Sequence, residues 1–120
     1  MTVAGHRHER IAEEIHHEIS SMVVGELKDP RIAGMVTVTE VRVSPDLKLA
    51  RIFVSVMGTE EEHASTLAGL TAAAGFIRRE LGARLRMRRS PELQFVLDRS
   101  EEYGQRIDEL LRETKKQHES

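Results

Sequence analysis

Apolar residues in the first quarter of the chain recur at helical spacing. Ile11, Ile15, Ile19, Met22 and Val23 are separated by charged positions, which predicts a helix from about Arg7 to Leu27. Asp29-Pro30 should stop it, because the residue before a proline is disfavoured in the helical region, and Gly25 weakens the last turn. The period then changes. Met35 to Val43 reads MVTVTEVRV, alternating and β-branched, and predicts a strand. Its alternation slips: Val36 and Val38 share one phase, Val41 and Val43 the other. A bulge near Thr39-Glu40 would return all four valines to the core face. Ser44-Pro45-Asp46 has turn chemistry, and Ile52, Val54 and Val56 alternate in a second strand, giving a hairpin that ends at Gly58.

Thr59-Glu60-Glu61-Glu62 is a capping box for a helix running through Leu67, Leu70 and Ala74. Gly75 interrupts it, and Phe76, Ile77, Leu81 and Leu85 resume an apolar face. Ser90-Pro91 breaks the chain again, and Leu93, Phe95 and Leu97 alternate in a third strand. Ser100 can cap a last helix carrying Tyr103, Ile107, Leu110 and Leu111, before a fraying tail at Lys115-Lys116-Gln117-His118. The order α-β-β-α-α-β-α, with three short strands and helices on one sheet face, is an α+β fold. At 120 residues the chain suits one domain, ordered over about 7–114 with short tails, and large enough for a core without staples.

Composition removes several function classes. There is no cysteine, so neither a disulfide framework nor a thiolate zinc site can form. MTVAGHRHER has no apolar run, so no signal peptide is expected, and no segment approaches a membrane span. His6, His8, His16 and His17 lie close in sequence, but His16 and His17 point about 100° apart on a helix and HHEIS lacks the second histidine of HExxH. Solvated histidines are the better account, and no metal or cofactor is expected. Thr37, Thr39, Ser44 and Ser55 sit in no nucleophile elbow, and neither GxGxxG nor a P-loop occurs. No acid–base arrangement stands out, so the chain is not expected to be an enzyme. Aromatic residues are few (Phe53, Phe76, Phe95 and Tyr103), which argues against an RNA reader built on stacking platforms.

Charge distribution carries the strongest signal. The chain holds 18 basic and 20 acidic residues, yet the stretch GFIRRELGARLRMRR gathers Arg78, Arg79, Arg84, Arg86, Arg88 and Arg89 around a lone acid, Glu80. Ile77, Leu81 and Leu85 should face the core and leave the arginines on the outward face and in the loop beyond. Charge runs are usually solvated faces. Here the near-absence of acids and the all-arginine character suit phosphate, which guanidinium binds in a bidentate fork. Dense phosphate rewards such a cluster more than an acidic protein does, although the latter is the alternative reading. Ala73-Ala74-Gly75, just upstream, keeps the backbone accessible at a helix junction, a natural phosphate position, or else packs tightly on the sheet.

These elements carry a family resemblance. The α-β-β-α-α-β order matches the type II KH domain, which normally clamps nucleotide backbone with a GxxG loop between its central helices. This chain has AAG there, and an AxG kink marks the ribosome-binding factor A family. RIAEEIHHEIS, LKDPRI, VRVSPDLKLARIFVSV, GFIRRELG and LRMRRSPELQFVLDRS are similar to that family as well, so the likeness spans about Arg7 to Leu111. The resemblance implies a KH-like domain with an extra C-terminal helix. It implies a non-enzymatic, cytoplasmic maturation factor, a monomer with no small-molecule substrate. Such a factor binds the free 30S subunit on 16S rRNA late in assembly, assists 16S processing and supports growth in the cold. By family pattern, Ala73, Ala74, Gly75 and the basic residues after them face RNA, and the KDPR element adds Lys28 and Arg31 as secondary candidates.

Overall fold

The structure, a computed structural model, describes residues 7–32, 35–100, 107 and 109–114. Its elements follow the predicted order: α1 (Arg7–Gly25), β1 (Val36–Val43), β2 (Leu49–Val56), α2 (Glu60–Ala72), α3 (Ala74–Arg84) and β3 (Glu92–Leu97). Residues 107 and 109–114 are helical and belong to the extra C-terminal helix. Ser100, its expected cap, donates its amide to the Asp98 carboxylate at 2.9 Å, and the amides it would cap lie outside the described residues. Tyr103 and the tail from Lys115 lie outside the described residues.

The strands form one mixed sheet in the order β1-β2-β3, antiparallel between β1 and β2 and parallel between β2 and β3. Parallel pairing of β2 and β3 requires a long crossover, and α2 and α3 supply it. The slipped valine pattern resolves as anticipated. Val38 pairs with Val54 and Glu40 with Phe53, so Thr39 is the extra residue of a bulge. Its hydroxyl donates to Asp98 at 2.6 Å. Val38, Val41 and Val43 are consequently buried, and Val36 packs against the same core.

One sheet face is covered. Ile15, Ile19 and Met22 of α1, Leu70 of α2 and Ile77 and Leu81 of α3 are wholly buried, together with Ala50, Ile52 and Val54 of β2. Each such aliphatic side chain contributes roughly 1.5–3 kcal/mol by leaving water. The opposite face presents Thr37, Glu40, Arg42, Arg51 and Gln94, with the Arg42 guanidinium 5.6 Å above the Phe53 ring. The capping box forms as written: Glu62 N donates to Thr59 Oγ1, and the Glu62 carboxylate reaches back to Thr59 N.

One of the four histidines read as solvated departs from that reading, and a further histidine is buried. His16 is half-buried, with Nε2 2.9 Å from the Val38 carbonyl, and thus occupies an edge-strand acceptor. His63, which sequence reasoning passed over, is 3% exposed beside Glu60, whose carboxylate also accepts from Arg99.

Candidate nucleic-acid interface

The junction between α2 and α3 is a single residue. Ala73, with φ −84° and ψ −3°, caps both helices, and its amide donates to Gly69 O at 3.0 Å and Leu70 O at 3.1 Å. The break therefore falls two residues before Gly75, which lies in the first turn of α3. Gly75 is exposed. A Cβ built there would meet nothing nearer than the Arg79 Nη1 at 3.8 Å. The fold alone gives no reason for glycine at this position.

Helix α3 ends in a Schellman motif. Met87 N donates to Gly82 O at 2.9 Å, and Arg86 sits between them at φ +53°. Glycine normally fills such a left-handed position, because a side chain there costs about 1–2 kcal/mol. Arg86 is exposed at the tip of this turn.

The six arginines divide into two groups. Arg84 is occupied: Nη1 donates to Glu18 at 3.3 Å, and Nη2 donates to Glu26 and to Glu80. The Glu26 hydrogen bond and the neighbouring carboxylates push its already high pKa further up. Arg78 is half occupied. Nε donates to Pro91 O at 3.1 Å and Nη2 to Ser90 O at 3.3 Å, bracing the loop after α3. Arg79, Arg86, Arg88 and Arg89 are exposed and make no hydrogen bond or ion pair among the described residues. The sequence placed the six on the outward face and in the loop beyond; the structure ties Arg84 to Glu18 of α1 and to Glu26 instead.

Two clefts that share residues run through these arginines, and a third lies at the kink. The largest, about 1020 Å³, brings Arg78, Arg86, Arg88 and Arg89 together with Arg7 from the start of α1 and Lys48 from the β1–β2 turn. Three acids, Glu14, Asp46 and Glu92, also line it, and the Asp46 carboxylate is engaged by Ser44 Oγ and Lys48 N, which lower its pKa. A second cleft, about 420 Å³, shares Arg78, Met87, Arg88 and Ser90 with the first and adds Gly75 and Arg79. The third, about 220 Å³, lies at the kink among Glu26, Leu27, Lys28, Asp29, Ala73 and Phe76.

Gly69 lets the segment that carries Arg31 lie close against α2, and Lys28 lines the cleft at the kink. Ile32 packs onto α2 so closely that a Cβ at Gly69 would lie 2.7 Å from Ile32 Cγ1, and Ser65 Oγ donates to Arg31 O. Arg31 itself forks onto Asp29, at 3.0 Å from Nε and 2.6 Å from Nη2. Lys28 is exposed and makes no hydrogen bond or ion pair among the described residues. Arg7, Lys48 and Phe76 escape sequence reasoning. The first two join the arginines only through folding, although Lys48 stands inside the SPDLKLA stretch.

No group of histidine and carboxylate side chains among the described residues could hold a metal ion, and no described helix is long and apolar enough to cross a membrane. The element order, the mixed sheet and the small-residue kink define a KH-like α+β protein. The chain belongs to the ribosome-binding factor A family, whose profile matches residues 7–111. It is 53% identical over 112 residues to ribosome-binding factor A of Acetivibrio thermocellus, covering 93% of this chain and 91% of that one. It is 55% identical over 103 residues to the factor of Thermosynechococcus vestitus, covering 85% and 82%. The crystal structure of ribosome-binding factor A from Thermus thermophilus superposes with a TM-score of 0.64 at 28% identity, over 75% of this chain and 94% of that one. Thermus thermophilus coordinates fitted into a cryo-EM map of a 30S complex of that factor give 0.60 at 29% identity, over 73% and 91%.

Proposed function

We propose that the protein binds the free small ribosomal subunit through the arginine surface, contacting 16S rRNA backbone, and assists late subunit maturation, including 16S processing. It acts as a cytoplasmic monomer without catalysis of its own, and its loss is felt most in the cold. Family membership and the 30S complex of the Thermus thermophilus factor support this reading. The observation that carries it is the set of four exposed arginines, Arg79, Arg86, Arg88 and Arg89, with no protein partner among the described residues. Phosphate would supply the missing acceptors, and the counterions released from RNA would drive association. Arg7 and Lys48 extend the surface, whereas Arg84 serves the fold.

The test is co-sedimentation of the purified protein with free small subunits and with complete ribosomes, alongside precursor 16S rRNA levels in a deletion strain grown warm and cold. Selective retention on free subunits, with precursor accumulating in the cold, is expected. Absence of retention on either particle would shift the arginine surface to an acidic protein partner.

A further inference from the structure

We infer that the small cleft at the kink is a stacking site for one unpaired nucleotide, with the base against Phe76 and its phosphate on Lys28. This rests on the arginine surface being an RNA interface, and adds what that surface reads beyond backbone charge.

Phe76 is the observation that starts the argument. It sits in the first turn of α3 and is 39% exposed, although the core lies one residue away at Ile77, which is wholly buried. About two-fifths of this large aromatic residue stays in water at a helix start, where it offers an apolar face to a ligand. It lines a cleft of about 220 Å³ whose other apolar walls are Leu27 and Ala73. That space suits a planar ring and is too small for a paired helix.

Among the charged residues that line the cleft, Lys28 is the one placed to meet a phosphate. Both of the cleft's carboxylates hold a guanidinium: Glu26 accepts from Arg84, which Glu18 and Glu80 share, and Asp29 is forked by Arg31. Lys28 is the wall residue whose charge is left uncompensated among the described residues. An apolar protein side chain would use Phe76 but leave that ammonium idle.

Continuity completes the case. Gly75 lies in the second arginine cleft, and its neighbour Phe76 in this one. Gly75 offers open space where a side chain would stand. A single strand whose phosphates follow Arg88 and Arg79 can cross the α2–α3 junction over Gly75 and turn one base onto Phe76. Aromatic stacking is sequence-tolerant because every base has a π face, so no base preference is needed.

The chain contains no tryptophan, so Phe76→Trp places a unique fluorophore in the cleft. The probes are a short unstructured RNA and the same RNA with one abasic site at each position in turn. Stacking predicts that the intact RNA quenches the tryptophan and that one abasic position abolishes the quenching. Phe76→Ala should bind the RNA about tenfold more weakly with an unchanged salt slope, since stacking releases no counterions. Phe76→Leu, which keeps apolar volume without the π face, should be nearly as weak and guards against loss by unfolding. Native affinity in Phe76→Leu, or no quenching by RNA that demonstrably binds, overturns the stacking site. If Phe76→Ala binds RNA normally but small subunits weakly, an apolar protein contact replaces it. Failure of this site leaves the arginine reading intact provided Arg86→Ala/Arg88→Ala still loses affinity; loss of both effects overturns both.

Discussion

Arg84 donates to Glu26, 58 residues earlier in the chain, and so fastens the last turn of α3 to the segment that follows α1. The same guanidinium reaches Glu18 and Glu80. An arginine in the middle of the basic stretch is thereby withdrawn from the proposed RNA surface. Replacing Arg84 with alanine should leave three carboxylates facing one another and lower the Tm by a few degrees, with partial recovery in salt. The salt slope of subunit binding should stay native. Thermal melts at two ionic strengths check the first part, and a binding series checks the second.

Arg86 makes the opposite trade. It holds a left-handed conformation that glycine adopts without strain. Arg86→Gly should stabilise the protein by about 0.5–1 kcal/mol while weakening subunit binding. Denaturant unfolding beside a binding isotherm measures both. A destabilised variant would show that Arg86 has a role in the fold that its backbone does not reveal.

Gly69 and Gly75 should behave differently although six residues apart on adjacent helices. Gly69→Ala drives a Cβ into Ile32 and is expected to cost about 1–3 kcal/mol. Gly75→Val meets open space and should leave the Tm nearly native while reducing subunit affinity. If Gly75→Val melts as early as Gly69→Ala, the kink is a packing device.

Most of the fold is legible in the sequence because hydrophobic period is a local property. The valine slip in β1 even discloses the bulge, since a two-residue alternation has one way to keep Val38 and Val41 on the same face. The site is legible only in part. Nothing in GFIRRELGARLRMRR distinguishes Arg84 from Arg79, because the difference is Glu18 and Glu26, brought close by the packing of α1 against α3. Lys48 and Arg7 join the cluster by the same route. Gly75 looks like the break, because a glycine in a helical run reads as a stop. The chain turns instead at Ala73, an ordinary right-handed residue with no signature of its own.

Asp29 offers a check of local geometry. The Arg31 side chain, and then its amide, hold the Asp29 carboxyl down at about 2, from an ordinary 3.8. Because the folded value is depressed, its contribution to stability is present above 3.8 and is lost as pH falls through about 2. Following the Asp29 carboxyl carbon by NMR should give a midpoint near 2, and Arg31→Ala should move it up toward 3.8. A native midpoint near the ordinary value would break the fork and free Arg31 for the interface.

The account stands on the partnerless arginines meeting RNA phosphate, and the salt dependence of small-subunit binding measures that directly. With about four phosphates contacted, log K should fall with log salt at a slope near −3, roughly 0.7–0.9 per phosphate. Arg79→Ala and the Arg86→Ala/Arg88→Ala double variant should melt within about 0.5 kcal/mol of native, bind more weakly, and show slopes shallower by close to one unit per phosphate lost. Affinity and slope unchanged in both variants would contradict the account.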